Sequence, residues 1–140
     1  MITKSISVAA AIIEQDGRLL IGKRKEGGSL SGYWEFPGGK IQKGESTEEC
    51  LCRECKEELN VEIGSLTLFF QTEHLYAEEE FSVRLSFYKA QIREGLPVCL
   101  AHSELVLVNR NELSRYSFCP ANKEVLERLK EETQKGNGAS

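Results

Sequence analysis

A strand-then-helix run that occurs twice in one 140-residue chain predicts an α+β fold, a mixed β-sheet with helices packed against it. Three observations carry this reading. Residues 5–14 and 18–25 are apolar runs flanking Gln15-Asp16-Gly17, residues from Ser46 to Asn60 switch to helical spacing, and strand-like segments then recur before a last helix near Pro120. The length corresponds to one domain, residues 1–140 with 136–140 as a frayed tail. A chain of this size buries about two-thirds of its unfolded surface, enough for a core without disulfide staples.

The first two strands are expected as antiparallel neighbours, because Asp-Gly between apolar runs is a hairpin signal. Lys4 followed by an apolar run superficially resembles a secretory leader, yet Ile6, Val8, Ala10 and Ile12 recur every second residue, as in a strand. Residues 26–32, rich in Gly and Ser, then lead through Tyr33-Trp34-Glu35-Phe36 into the sharp bend of Pro37-Gly38-Gly39. Ser46 and Glu49 have the spacing of a capping box. Leu51, Cys52, Cys55 and Leu59 form the apolar stripe of the helix that follows, and Asn60 is its expected left-handed stop. Residues 66–71, 81–92 and 104–108 read as strands, with Glu78-Glu79-Glu80 a solvated turn between two of them. Pro120 suits a first helical turn, and Val125, Leu126 and Leu129 supply the buried face of the last helix.

Composition narrows the class of function. With 40% hydrophobic and 29% charged residues the chain is an ordinary globular one. The 18 basic and 22 acidic side chains leave a net charge of −4 without a basic block, which argues against binding duplex nucleic acid. No stretch approaches the roughly 20 apolar residues that span a bilayer, so no membrane partner is expected. An odd number of cysteines, five, fits a reducing, cytoplasmic setting better than a disulfide framework. Cys50, Cys52 and Cys55 lack a second Cys or His pair at zinc spacing, so Cys52 and Cys55 read as buried thiols. Neither His74 nor His102 falls in a nucleophile motif.

The chemistry is concentrated in Gly38-Gly39-Lys40 through Glu45 and the helix bearing Arg53-Glu54 and Glu57-Glu58. Residues three and four apart share a helix face, so Glu54, Glu57 and Glu58 project together and repel one another. A hard divalent cation, Mg²⁺ or Mn²⁺, would relieve that repulsion while also binding substrate phosphates. The glycine bend lets backbone approach the same ion, with Gly39 a candidate carbonyl ligand. Arg53 has the fork to orient a carboxylate, including Glu45.

This arrangement resembles the signature of the Nudix hydrolases. Gly39, Glu45, Arg53, Glu54, Glu57, Glu58 and Val61 are in register with it, with Cys55 at an aliphatic position and Asn60 where the family has Gly. Trp34 to Lys40 and Pro120-Ala121-Asn122 are similar to the MutT-type branch, which sanitises oxidised nucleotides. The resemblance implies a mixed sheet sandwiched between helices and a Mg²⁺-dependent nucleoside triphosphate pyrophosphohydrolase, with Mn²⁺ a possible substitute. It also implies metal ligands Gly39, Glu54, Glu57 and Glu58, with Arg53 assisting and Glu54 or Glu104 as base. Arg24, Phe36 and Asn122 would contact the nucleotide, and Ile6 would line the base pocket. An Asn amide, one donor beside one acceptor, complements the edge of 8-oxoguanine, whose N7 carries a hydrogen that guanine lacks. A local backbone hydrogen bond by Asn122, core packing of Phe36 and surface charges at Arg24 and Glu104 are the simpler readings of the same residues. The preferred substrate implied is 8-oxo-dGTP, with CTP or dCTP as the alternative and a non-catalytic nucleotide-binding regulator as the reading of another class. A monomer or small homo-oligomer is expected.

Overall fold

The computed structural model describes residues 4–78 and 80–139, with side chains through Glu132. Strands β1 (Lys4–Gln15) and β2 (Arg18–Lys23) form the expected hairpin, pairing Gln15 with Arg18 across Asp16 and Gly17. Both turn residues have positive φ, 51° and 78°, which matches the right-handed twist of the flanking strands. Two short strands follow, β3 (Trp34–Glu35) and β4 (Gly38–Lys40), one on β2 and the other on β1.

Helix α1 (Thr47–Leu59) opens on the expected capping box: Glu49 N–H donates to Ser46 Oγ at 3.0 Å, and Ser46 N–H donates to Glu49 Oε1 at 2.8 Å. It stops at Asn60, which is left-handed at φ 56° and donates its N–H to the Lys56 carbonyl. Strands β5 (Glu62–Tyr76) and β6 (Phe81–Glu94) form a long antiparallel hairpin. The strand expected over 66–71 is therefore much longer, since pairing with β6 carries polar residues such as Glu73 that intrinsic β preference does not favour. Glu80 N–H donates to the Ala77 carbonyl in the connecting turn, while the expectation for Glu79 lies outside the described residues.

Strand β7 (Glu104–Val108) matches its expected bounds and pairs with β2. A 3₁₀ turn over Pro120–Asn122 leads into α2 (Lys123–Ala139). The backbone of 136–139, expected as part of a frayed tail, continues α2, and Ser140 lies outside the described residues.

The sheet order is β3-β2-β1-β6-β5, with β4 also on β1 and β7 also on β2. Among the strands of the described residues β1 and β6 pair parallel and the other pairs are antiparallel, so the sheet is mixed as expected. Alternation along β1 divides the core in two. Ala9, Ala11 and Ile13 pack with Cys50, Leu51, Cys55 and Leu59 of α1, whereas Ala10 and Ile12 pack with Phe36, Phe87, Val125 and Leu129 on the α2 side. Full burial of a leucine such as Leu51 or Leu59 stabilises by about 1.5–3 kcal/mol, which anchors α1 against the sheet. Cys52 is only half-buried, unlike Cys55, and all five cysteines are free.

Candidate active site

The expected carboxylates lie at the junction of α1 with the β4 bend, and Arg53 organises them. Its Nε donates to Glu45 Oε2 at 2.7 Å and its Nη2 to Glu45 Oε1 at 3.0 Å, a two-pronged pair. Nη1 donates to Glu54 Oε1 at 2.8 Å and to Glu57 Oε2 at 3.3 Å, while Nη2 also reaches the Lys40 carbonyl at 3.2 Å. One guanidinium thus ties the loop, the bend and two successive positions of the helix. Arg53 and the Gln42 backbone N–H hold the Glu45 carboxyl down to about 2.

Glu58 turns the other way, into the protein, and is 8% exposed. Its Oε1 is buried without a hydrogen-bond partner among the described residues. Burial is the largest influence on this carboxyl, followed by Glu54 and the charge of Glu35, and together they raise it well above the usual carboxylate range. Gly39 makes the close approach expected of it: a Cβ there would lie 2.5 Å from the Glu54 carboxyl carbon. An unpartnered buried oxygen beside a second carboxylate, on a backbone with no room for a side chain, fits a hard cation with an oxygen donor set. Glu54, Glu58 and the Gly39 carbonyl would hold it, with Glu57 on the more exposed outer side, 60% accessible. No three His, Cys, Asp or Glu side chains converge as a closed centre among the described residues.

A cavity of about 310 Å³ adjoins this corner, lined by Val8 and Ala10 of β1, Phe36, Leu85, Phe87 and Asn122. The Asn122 backbone N–H donates to the Cys119 carbonyl at 2.9 Å, but its side-chain amide makes no hydrogen bond among the described residues and faces the cavity. Phe36 is 3% exposed and edge-on to Phe87, so it is core and cavity wall at once. Arg24, Glu35 and Gly38 line this cavity and also a second one of about 380 Å³, which includes Glu58 and His102. The two cavities therefore meet between the Asn122 amide and the carboxylate corner. A roomier, apolar cavity of about 430 Å³ beside α2, lined by Leu113, Tyr116, Phe118 and Leu126, contains neither Asn122 nor the carboxylates of α1.

Two expected site residues lie apart from this arrangement. Ile6 is half-buried and absent from the cavity wall; Val8, two residues along the same face of β1, takes that place. Glu104 does not approach the carboxylates of α1. Register places it opposite Lys23 of β2, and the two side chains pair at 3.6 Å with Glu104 57% exposed. Arg24 departs from the simpler reading of an exposed strand charge, because its Nη1 donates to Glu35 Oε1 at 2.7 Å and its Nε to the Ser29 carbonyl at 3.0 Å.

Sequence reasoning passed over Glu35 and His102. The ring Nε2 of His102 lies 2.9 Å from Glu35 Oε2, across 67 residues of chain. Burial pushes the Glu35 carboxyl up, but hydrogen bonds and charges from His102 and Arg24 outweigh it and hold the group below its ordinary value. Glu35 stood within the quoted aromatic segment, as an acid flanked by Trp34 and Phe36; His102 carried no local signal.

Comparison with known proteins places the chain among relatives of one fold. The chain is 34% identical to the CTP pyrophosphohydrolase of Escherichia coli (strain K12), over 89% of this chain and 90% of that protein. It is 33% identical to the 8-oxo-dGTP diphosphatase of Haemophilus influenzae, over 93% and 95% respectively. The crystal structure of a MutT NUDIX hydrolase from Burkholderia pseudomallei superposes with a TM-score of 0.80 at 29% identity, covering 89% of this chain and 97% of that one. A family profile described as the NUDIX domain matches residues 8–128, from within β1 through α1 into the first turns of α2, and the chain belongs to that family.

Proposed function

We propose that this protein is a Mg²⁺-dependent nucleoside triphosphate pyrophosphohydrolase acting on oxidised purine nucleotides, with 8-oxo-dGTP as preferred substrate and a monophosphate and pyrophosphate as products. Its role is sanitation of the nucleotide pool, in support of DNA repair, in the cytoplasm, as a monomer or small homo-oligomer. The observation that carries the reading is the meeting of two features: the buried, unpartnered Glu58 oxygen beside Glu54 and Gly39, and the free Asn122 amide in an adjoining apolar cavity.

The Asn122 amide and the apolar walls bind the base, and Arg24 stands where the chain of phosphates leaves the base cavity for the carboxylates. Arg53 keeps Glu45, Glu54 and Glu57 in place without facing the substrate. When bound, the divalent ion neutralises phosphate charge and lowers the pKa of the attacking water. Glu54 is the candidate base, and with Glu104 turned to the surface it is the better placed of the two considered. Mn²⁺ fits the same oxygen donors.

A second reading, CTP or dCTP hydrolysis, draws on the relative named for CTP, which is as similar to this chain as the one named for 8-oxo-dGTP. The test is Mg²⁺-dependent turnover of 8-oxo-dGTP beside dGTP, dCTP and CTP, products separated by anion exchange, with Glu57→Gln as control. Preference for 8-oxo-dGTP sustains the first reading and preference for a cytidine nucleotide the second. Tight nucleotide binding without turnover would instead favour a non-catalytic regulator.

A further inference from the structure

We propose that His102 is a positioning residue for the nucleotide: through Glu35 it fixes the Arg24 guanidinium at the junction of the two cavities. This rests on the reading of those cavities as a nucleotide site.

His102 is 6% exposed, although it lies on a connecting segment between β6 and β7 rather than in a strand. The segment is pinned on both sides. Val98 N–H donates to the Leu59 carbonyl and Leu100 N–H to the Glu58 carbonyl, so the chain runs along the end of α1 before reaching His102. Beyond it, Ser103 N–H donates to the Lys23 carbonyl at 2.9 Å, and the His102 carbonyl itself accepts from Cys99 Sγ at 3.1 Å.

The ring lies directly on Gly22. A Cβ at that position would sit 2.6 Å from His102 Cγ and Cδ2, so only glycine leaves this space on β2. Gly22 pairs with Glu35 of β3, which brings the ring to Glu35 from the neighbouring strand. An ionised carboxylate only accepts, so His102 Nε2 carries the donated hydrogen at 2.9 Å, and Nδ1 is left buried without a partner. Glu35 uses its other oxygen for Arg24 Nη1 at 2.7 Å. A carboxylate held from one side only could rotate; held by His102 as well, it presents Oε1 to Arg24 in one geometry. Arg24 and Glu35 border both cavities, where the sugar and first phosphate of a nucleotide bridge the base to the carboxylate corner.

The test compares the unsubstituted protein with His102→Phe, which keeps a ring on Gly22 but no donor, and His102→Gln, whose amide nitrogen can replace Nε2. His102→Phe is expected to raise KM about tenfold with kcat within about twofold, and His102→Gln to recover most of that loss. On an Arg24→Ala background His102→Phe should add less than about twofold, because the residue it positions is already gone. An unchanged KM in a folded His102→Phe protein, or a full further tenfold on the Arg24→Ala background, overturns the proposal. Should His102→Phe fail to fold, Gly22→Ala displaces the ring by its Cβ and is expected to raise KM in the same way; an unchanged KM there also overturns it. Failure of the hydrolase reading appears separately, as no turnover by the unsubstituted protein. The Kd of a nucleoside monophosphate, measured by calorimetry, then takes the place of KM in the same comparison, and no change in Kd for His102→Phe overturns the proposal.

Discussion

Arg53 grips Glu45 with two hydrogen bonds, Nε to Oε2 at 2.7 Å and Nη2 to Oε1 at 3.0 Å, while its third nitrogen reaches Glu54. The pair spans eight positions, from the loop after β4 to the second turn of α1, and so locks the bend that carries Gly39 to the helix that carries the carboxylates.

Arg53→Lys therefore removes more than it appears to. A lysine keeps the charge but has no planar fork, and it cannot hold Glu45 and Glu54 at once. We expect kcat to fall about 10–100-fold, since small misplacements of reacting groups have costs of that order. The Mg²⁺-induced rise in Tm should shrink but persist, because Glu58 makes no bond to the fork while Glu54 and the bend that carries Gly39 do. Steady-state kinetics with parallel melting curves check this; an unaltered kcat would show that the fork is dispensable.

Glu58 sets a pH dependence. Its folded carboxyl is raised above the ordinary 4.5, mainly by burial, so just above that pH the unfolded state is ionised and the folded state still protonated. The folded state then binds more protons, and the metal-free protein loses stability as pH rises through that window. In chelator, Tm should drop by about 3–6 °C between about pH 5 and about pH 8 from this group, and Glu58→Gln should remove that part of the slope. Mg²⁺ should oppose the drop, its stabilisation growing with pH as the carboxyl ionises. A Tm profile identical in chelator and Mg²⁺ would count against a cation at Glu58.

Asn122→Ala tests the base-reading role apart from the chemistry. Removing an amide that offers both donor and acceptor should reduce the preference for 8-oxo-dGTP over dGTP by about tenfold or more in kcat/KM. Mg²⁺ dependence should be retained. Competing both substrates in one assay measures this, and an unaltered ratio would assign Asn122 a purely structural place.

Asn60 occupies the left-handed cap with φ 56° and ψ 40°. Asn60→Ala should destabilise by about 1 kcal/mol, the cost of a Cβ-bearing residue without a compensating amide in that conformation. Asn60→Gly should lie within about 0.5 kcal/mol of the parent, since relief of strain is offset by greater freedom of the unfolded chain. Urea titrations of the metal-free protein separate the two.

What could be read in the sequence is what neighbours along the chain decide. The Asp16-Gly17 hairpin, the Ser46–Glu49 box and the Asn60 cap all follow from separations of a few residues, where turn and helix geometry leave little choice. The family resemblance carried the search further, to Phe36 and Asn122 in one cavity, because its motifs stand for tertiary contacts that local periodicity does not encode. Tertiary structure alone decided the rest. The β2–β7 register set Glu104 opposite Lys23, and the packing of α1 divided three glutamates into one buried and two held by Arg53. The contact from His102 to Glu35 joins residues far apart in the chain through the empty space at Gly22, and burial of a polar ring depends on which elements close over it. Helical spacing places a carboxylate on a helix, but its protonation and partners depend on the water that folding removes.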